Sequence, residues 1–126
     1  MIGYQYVVLR VVPRVDREEF VNVGVVLFAQ QVDVLAVRTE VDEARLRALA
    51  PAIDLDAVHS ALAAVDAVCR GDQTAGLPHP DRLGRRFGWV SAPRSTVVQP
   101  GPVHGGLTDD PLATLERLVE RLVLPC

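Results

Sequence analysis

The chain has 126 residues, 49% hydrophobic and 23% charged, which is typical of a folded domain rather than a disordered segment. Its net charge is −3, and all 13 of its basic residues are arginines. A chain without lysine cannot supply the lysine of a phosphate-binding loop, a protein-kinase site or a Schiff base, so we exclude those mechanisms for it. We expect a single globular domain over residues 1–126.

The expected location follows from the same composition. Arginine without lysine, together with abundant alanine and valine, is typical of GC-rich bacterial genomes. The first residues contain no basic segment followed by an apolar stretch, and no apolar run approaches the roughly 18 residues of a membrane span. We therefore expect a bacterial cytoplasmic protein with no membrane partner. The negative net charge also argues against nucleic acid as a partner.

Three hydrophobic runs in the first third of the chain predict β-strands. They cover residues 4–12, 21–29 and 34–39, and their side chains alternate between two faces. Residues 30–33 form a short connection, which suits an antiparallel hairpin better than a crossover. We predict an antiparallel meander, with the first strand central because both of its faces are largely apolar.

In the second strand, strict alternation places two sets of side chains on opposite faces. One face would carry Val21, Val23, Val25, Leu27 and Ala29. The other would carry Asn22, Gly24, Val26, Phe28 and Gln30. Arg10 of the first strand can point to the same side as Asn22 and Gly24.

Three segments have the periodicity and the capping residues of helices. Asp42 and Asp54 are predicted to begin the first two, and Gly71 to end the second. Asp110 is predicted to cap the third, with Pro111 in its first turn. The apolar stripe of the second helix consists of Leu55, Val58, Leu62, Val65 and Cys69. That of the third consists of Leu112, Leu115, Leu118, Val119 and Leu122.

Residues 71–106 are rich in glycine, proline, arginine and histidine, with one β-like run at residues 95–99. We predict a fourth strand there and ordered surface loops around it. Strands followed by helices favour an α+β fold, in which an antiparallel sheet of three to four strands has two to three helices packed on one face. The second and third predicted helices would then cover the same face, through Leu62, Val65, Leu115 and Leu118.

Asn22 and Gly24 are poor strand formers inside a strongly β-forming run. Gly24 can mark a bulge or a close approach, and Asn22 can satisfy a backbone group. Alternatively, both line the polar floor of a pocket, where Gly24 leaves room for a ligand and Asn22 and Arg10 donate hydrogen bonds. The residues themselves leave both interpretations open.

The segment from Asp81 to Thr96 interleaves arginines with aromatic residues. Its members of these two kinds are Arg82, Arg85, Arg86, Phe87, Trp89 and Arg94. Arginines bind phosphate or carboxylate, and aromatic rings stack on bases, so the segment resembles a nucleotide contact. In the absence of a lysine-rich field, we favour a turn that packs Phe87 and Trp89 onto the core.

Catalytic and metal signatures are weak. Ser95 and His104 share one segment, but the chain has no Gly-x-Ser-x-Gly elbow. Cys69 and Cys126 are too far apart for a Cys-x-x-Cys site, and Cys69 is predicted to be a buried thiol. A metal-ligand spacing is missing from the three histidines, which are His59, His79 and His104. We expect neither a cofactor nor a metal.

Two blocks of sequence carry a family resemblance. YQYVVLRVVPRVDREEFVNVGVVLFA at residues 4–29 and WVSAPRSTVVQPGPVHGG at residues 89–106 resemble domain-of-unknown-function family 3037, a group of small bacterial proteins. The resemblance covers nearly the whole chain and implies no particular reaction. Its association with operons that also encode HipA-like kinases implies an accessory or partner role.

The resemblance directs attention to polar positions. Its first block matches Arg10, Pro13, Glu19, Asn22 and Gly24. Its second block matches Trp89, Arg94, Ser95, Gln99, Pro100 and His104. We predict that the two blocks converge on one polar surface, whose binding residues are Arg10, Asn22, Gly24, Arg94, Ser95, Gln99 and His104.

Two functions are compatible with such a surface. The leading interpretation is a non-catalytic interaction module that engages a partner protein or an anionic, phosphate-containing ligand. The alternative is an enzyme acting on a phosphorylated or nucleic-acid substrate, with Arg10 and Arg94 clamping the anion and His104 as general acid or base. A concave pocket at His104 would favour the enzyme, whereas a flat polar surface with exposed aromatic residues would favour the module.

Overall fold

The structure, a computed structural model, describes residues 1–72 and 82–125. Within those residues five strands form one antiparallel sheet, accompanied by four α-helices. The strands are β1 (Ile2–Val11), β2 (Val21–Ala29), β3 (Val34–Thr39), β4 (Val98–Pro100) and β5 (His104–Thr108). The helices are α1 (Glu43–Leu49), α2 (Leu55–Arg70), α3 (Leu83–Ser91) and α4 (Pro111–Leu122). The predicted α+β class and the antiparallel sheet are confirmed.

Strand β1 is central, as predicted. One of its edges pairs with β2, which in turn pairs with β3. Its other edge is shared: β4 lies opposite residues 9–11 and β5 opposite residues 2–6. Between them, the Gly101 N–H donates to the Val8 carbonyl at 2.8 Å. The two short strands therefore act as one interrupted outer strand.

The predicted helix ends are also confirmed. Asp42, Asp54 and Asp110 each accept a hydrogen bond at 3.1 Å from the backbone N–H three residues later. Gly71 ends α2 in the left-handed region, at φ 77°. Pro111 is the first residue of α4, where a missing N–H costs nothing. Local capping chemistry thus determines these boundaries.

Helices pack on both faces of the sheet, so the prediction of a single helical face is wrong. One face, here called the covered face, packs against α1, α2 and α3 through Leu46, Leu62 and Phe87 among others. On the opposite face, within the described residues, α4 alone packs through Leu115 and Leu118. Because the sheet is apolar on both sides, each side needs a helical layer.

A β-bulge explains why strict alternation fails in β2. Leu9 lies opposite Gly24 but Arg10 lies opposite Asn22, so Val23 is an extra residue. Past the bulge, the side chains exchange faces. The covered face receives Val21, Val23, Val26 and Phe28. The α4 side receives Val25, Leu27 and Ala29.

Two elements arise from residues predicted to be loops. Helix α3 contains Gly84 and Gly88, which lower helix propensity, but Phe87 packs on Phe28 with ring centroids 5.3 Å apart. Strand β5 contains two glycines, and its formation depends on pairing with β1. The predicted fourth strand is shorter than expected, at Val98–Pro100. Tertiary packing therefore overrides local preference in this region.

The remaining predictions concern the burial of individual side chains and the presence of a membrane-spanning helix. Leu112 lies in the first turn of α4 and is 56% exposed, so the buried stripe begins at Leu115. Cys69 is buried, as predicted. No helix of the described residues has the length and apolar character needed to cross a bilayer. His79, Asp81 and Cys126 lie outside the described residues.

Candidate functional site

Helix α4 covers only part of its face of the sheet. It packs mainly on β2 and β3 and also contacts β1, and its Glu116 pairs with Arg38 of β3 at 3.1 Å. The surface of β1, β4 and β5 on the same face carries partly or fully exposed side chains. We call this surface the open half-face. Its residues are Tyr4, Tyr6, Val8, Arg10, Gln99 and His104.

Three polar residues form a row across the sheet at one end of this surface. Arg10 is the direct cross-strand partner of Asn22 on β2 and of Gln99 on β4, so all three side chains leave the same face. The two predicted sequence blocks meet here. Asn22 Nδ2 donates to the Leu122 carbonyl at 3.0 Å, whereas Gln99 Nε2 donates to the Thr96 carbonyl at 3.0 Å. Asn22 therefore holds the carboxyl end of α4.

Arg10 is held in place without using its hydrogen-bond donors. Its guanidinium carbon lies 4.4 Å from the centroid of the Phe20 ring, a cation–π contact. Among residues 1–72 and 82–125, no carboxylate lies within 4.0 Å of it and no acceptor receives a hydrogen bond from it. In the same residues, the only fully buried side-chain nitrogen without a partner is Arg86 Nε. The Arg10 donors thus remain accessible to a ligand.

Gly24 has a steric explanation. A Cβ atom at this position would lie 2.9 Å from the Arg38 carbonyl oxygen and 3.0 Å from Thr39 Cγ2. Both atoms belong to β3, which approaches β2 closely beside the bulge. The residue is buried, so the space that glycine leaves is filled by the protein itself.

Arg94 does not join the polar row. Its Nη2 donates to the Trp89 carbonyl, its Nε donates to the Ala92 carbonyl at 3.3 Å, and its guanidinium lies 4.4 Å over the Trp89 ring. Burial lowers the pKa of Arg94. Trp89 packs against the core of the covered face, so Arg94 sits at the end of α3 and on the other side of the sheet from Asn22. Ser95 follows it in an exposed position.

His104 lies among aromatic residues that the sequence analysis did not select. It is the cross-strand partner of Tyr6, and the two rings have centroids 5.2 Å apart. Tyr4 follows on the same face, with its ring centroid 6.2 Å from that of Tyr6. The sequence alone predicts that Tyr4, Tyr6 and Arg10 lie on the same face of β1, because even numbers of positions separate them. It does not predict their proximity to His104, because β5 was predicted to be a loop.

The remaining titratable groups offer little chemistry. Burial raises the pKa of the Cys69 thiol to about 12, so it is protonated at neutral pH. His59 Nε2 lies 3.1 Å from Glu43 Oε1 on the surface. In the part of the chain that the structure describes, no three histidine, cysteine or acidic side chains are grouped as metal ligands.

Comparison with known proteins identifies a matching family. The family described as "Protein of unknown function (DUF3037)" matches residues 6–123, which include almost all of both sequence blocks. No curated protein gives a significant match. No solved structure gives one either. Because the match covers nearly the whole chain, the protein belongs to the DUF3037 family.

Proposed function

We propose that the protein is a non-catalytic binding module whose open half-face holds an anionic group. Arg10 carries this proposal. Its guanidinium is oriented by Phe20, is the cross-strand neighbour of Gln99 on the same face, and retains its donors for a carboxylate or phosphate. A cation fixed by an aromatic ring is preorganised, so little entropy is lost when an anion binds.

The anion is carried by a partner protein or by a small phosphate-containing ligand. The resemblance to proteins encoded beside HipA-like kinases supports the first source. An acidic segment of such a partner would meet Arg10 on an exposed sheet surface, where His104 and the tyrosines add contact area. Tyrosine and arginine are enriched at the energetically important centres of protein interfaces.

The enzymatic alternative has weaker support. It requires Arg94 and Arg10 to hold one anion, but Arg94 donates to carbonyls at the end of α3. His104 is exposed and lies against Tyr6 on an open sheet surface. Such a surface does not exclude water from a reacting group, which weakens electrostatic stabilisation of a transition state.

The proposal is tested by NMR titration of the arginine Nε–Hε signals. The probes are inorganic phosphate and a hexaglutamate peptide. We expect the Arg10 signal to move first and the His104 ring signals to move with it. Arg10→Ala should weaken binding of the better probe by roughly tenfold or more, because it removes a charge-assisted hydrogen bond.

Arg94→Ala is the matched variant, since each guanidinium lies 4.4 Å over an aromatic ring but on different sides of the sheet. It should lower the melting temperature and leave probe binding unchanged. The exposed Arg85 of α3 provides a control for loss of one positive charge. If Arg10→Ala binds both probes as the wild type does, or if Arg94→Ala abolishes binding, the assignment to the open half-face is wrong.

A further inference from the structure

Three aromatic rings lie side by side on the open half-face. The Tyr6 and His104 rings are inclined by 30° with centroids 5.2 Å apart, and the Tyr4 and Tyr6 rings by 28° with centroids 6.2 Å apart. Rings in direct face-to-face contact would be separated by roughly 3.5 to 4 Å. Nearly parallel rings with centroids about 4.5 to 7 Å apart are offset-stacked, so each ring covers only part of its neighbour. We call Tyr4, Tyr6 and His104 the aromatic pavement.

Gly106 explains how Tyr4 lies within this pavement. The two residues are cross-strand partners, and a Cβ at Gly106 would lie 2.6 Å from Tyr4 Oη and 2.7 Å from Tyr4 Cζ. The Tyr4 ring therefore rests directly on the β5 backbone, which only glycine permits. One ring face contacts the sheet, and the partly buried Tyr4 also packs against the core on the α4 side.

The Arg10 guanidinium lies beside one end of the pavement. Its carbon is 3.8 Å from the position that a Cβ of Gly101 would occupy, and Gly101 is hydrogen-bonded to the carbonyl of Val8. Val8 precedes Arg10 and follows Tyr6 on the same face of β1. The cation is thus about one two-residue step, roughly 7 Å, from the level of Tyr6 and His104. A flat group on the pavement would hold an attached anion at Arg10.

We infer that the ligand is a nucleoside monophosphate, with its base on the aromatic pavement and its phosphate on Arg10. This inference rests on the proposed function, because it uses the same cation. Nucleobases stack on tyrosine and histidine rings, and the arginine fork matches phosphate oxygens. A site for an anion alone would not need aromatic rings, whereas a nucleotide site uses such rings to bind the base.

Charge favours a single nucleotide over a nucleic-acid strand. A strand presents one phosphate per nucleotide and requires a basic track, yet Arg10 is the only arginine among the open half-face residues described above. At the Tyr4 end, β5 is followed by Asp109, whose side chain is 82% exposed and whose carboxylate lies 3.7 Å from the amino group of Met1. The net charge of −3 also opposes a polyanion.

The experiment compares a base-containing ligand with its base-free counterpart. UMP, AMP and ribose 5-phosphate are titrated by NMR and calorimetry. We expect the better nucleotide to bind at least tenfold more tightly than ribose 5-phosphate and to shift the Tyr6 and His104 ring signals upfield. Tyr6→Ala should reduce nucleotide affinity to that of ribose 5-phosphate, whereas Tyr6→Phe should preserve it. Arg10→Ala should weaken the binding of both the nucleotide and ribose 5-phosphate.

Each other outcome is decisive. Equal affinities for nucleotide and ribose 5-phosphate would overturn the nucleotide assignment and leave the anion-binding module standing. The same conclusion follows if only hexaglutamate binds. An oligouridylate that binds more than tenfold tighter than UMP at 150 mM salt would overturn the choice of a single nucleotide in favour of a strand. If neither hexaglutamate nor any of the phosphate-containing ligands binds, both the inference and the proposed function are wrong.

Discussion

The two faces of β1 are both rich in hydrophobic residues, but their side chains are buried to different extents. Val7, Leu9 and Val11 are 0–1% exposed beneath the helices of the covered face. Tyr4, Tyr6, Val8 and Arg10, which alternate with them, are partly exposed beside α4. Among the helices that the structure describes, three pack on one face, whereas α4 alone packs on the other, mainly over β2 and β3. The β1 part of this second face stays partly exposed because no second helix of residues 1–72 and 82–125 packs above it.

Two neighbouring polar residues also differ in whether a helix packs above them. Asn22 and Arg10 are direct cross-strand partners, but only Asn22 lies within reach of α4. Its amide stabilises the helix end, while the Arg10 guanidinium contacts Phe20 and solvent. The contacts of a polar residue in this sheet therefore depend on what packs above it.

The largest effect is expected at the covered face. Leu9→Ala should lower the free energy of unfolding by about 2 to 5 kcal/mol, because it leaves a cavity in a fully packed core. Val8→Ala, one residue away on the open half-face, should cost about 1 kcal/mol or less. Urea unfolding measures both. Equal losses would mean that the two faces of β1 are buried to the same extent.

A smaller effect is expected at the bulge. Gly24→Ala would place a Cβ 2.9 Å from the Arg38 carbonyl oxygen, and overpacking against backbone should cost about 1 to 3 kcal/mol. Gly3→Ala, in the neighbouring strand, meets no atom within 4 Å and should be nearly neutral. Chemical denaturation of the two variants tests the close approach of β3. A neutral Gly24→Ala would return Gly24 to the list of ligand-binding residues.

The next prediction tests whether Asn22 has a structural role rather than the ligand-binding role proposed for Arg10. Asn22→Ala should lower the free energy of unfolding by about 1 kcal/mol, because the Leu122 carbonyl loses its donor. Gln99→Ala should cost less, since its bond to the Thr96 carbonyl is exposed. Thermal and urea unfolding give the ranking. Unchanged stability together with lost phosphate binding would show that Asn22 serves the ligand instead.

The smallest effect concerns the thiol buried at the covered face. With a pKa of about 12, Cys69 should resist iodoacetamide at pH 8 in the folded protein and react in urea. A Cys126→Ser variant isolates its signal. The folded state binds this proton more tightly than the unfolded state, whose thiol has its ordinary pKa of 9.0. The stabilisation is therefore complete below pH 9 and should be lost as the pH rises towards 12. Rapid labelling of the native protein would contradict the burial.

Local chemistry made much of the fold predictable. The aspartate caps, Gly71 and Pro111 act within one helical turn, so the ends of α1, α2 and α4 could be read from neighbouring residues. Valine-rich alternation likewise located β1, β2 and β3. Of the candidate site, Arg10, Gln99 and His104 were selected from the residues and from the family resemblance, and the structure groups them on the open half-face.

What the sequence determined by itself was therefore the α+β class, the boundaries of the locally encoded elements and the family. Tertiary structure alone decided the bulge at Val23, the pairing of β5 with β1, and the placement of α4 opposite α2 and α3. These features depend on contacts between residues far apart in the chain. A bulge reverses alternation without changing hydrophobicity, and two glycines form a strand only when a partner supplies the hydrogen bonds and a tyrosine ring covers them.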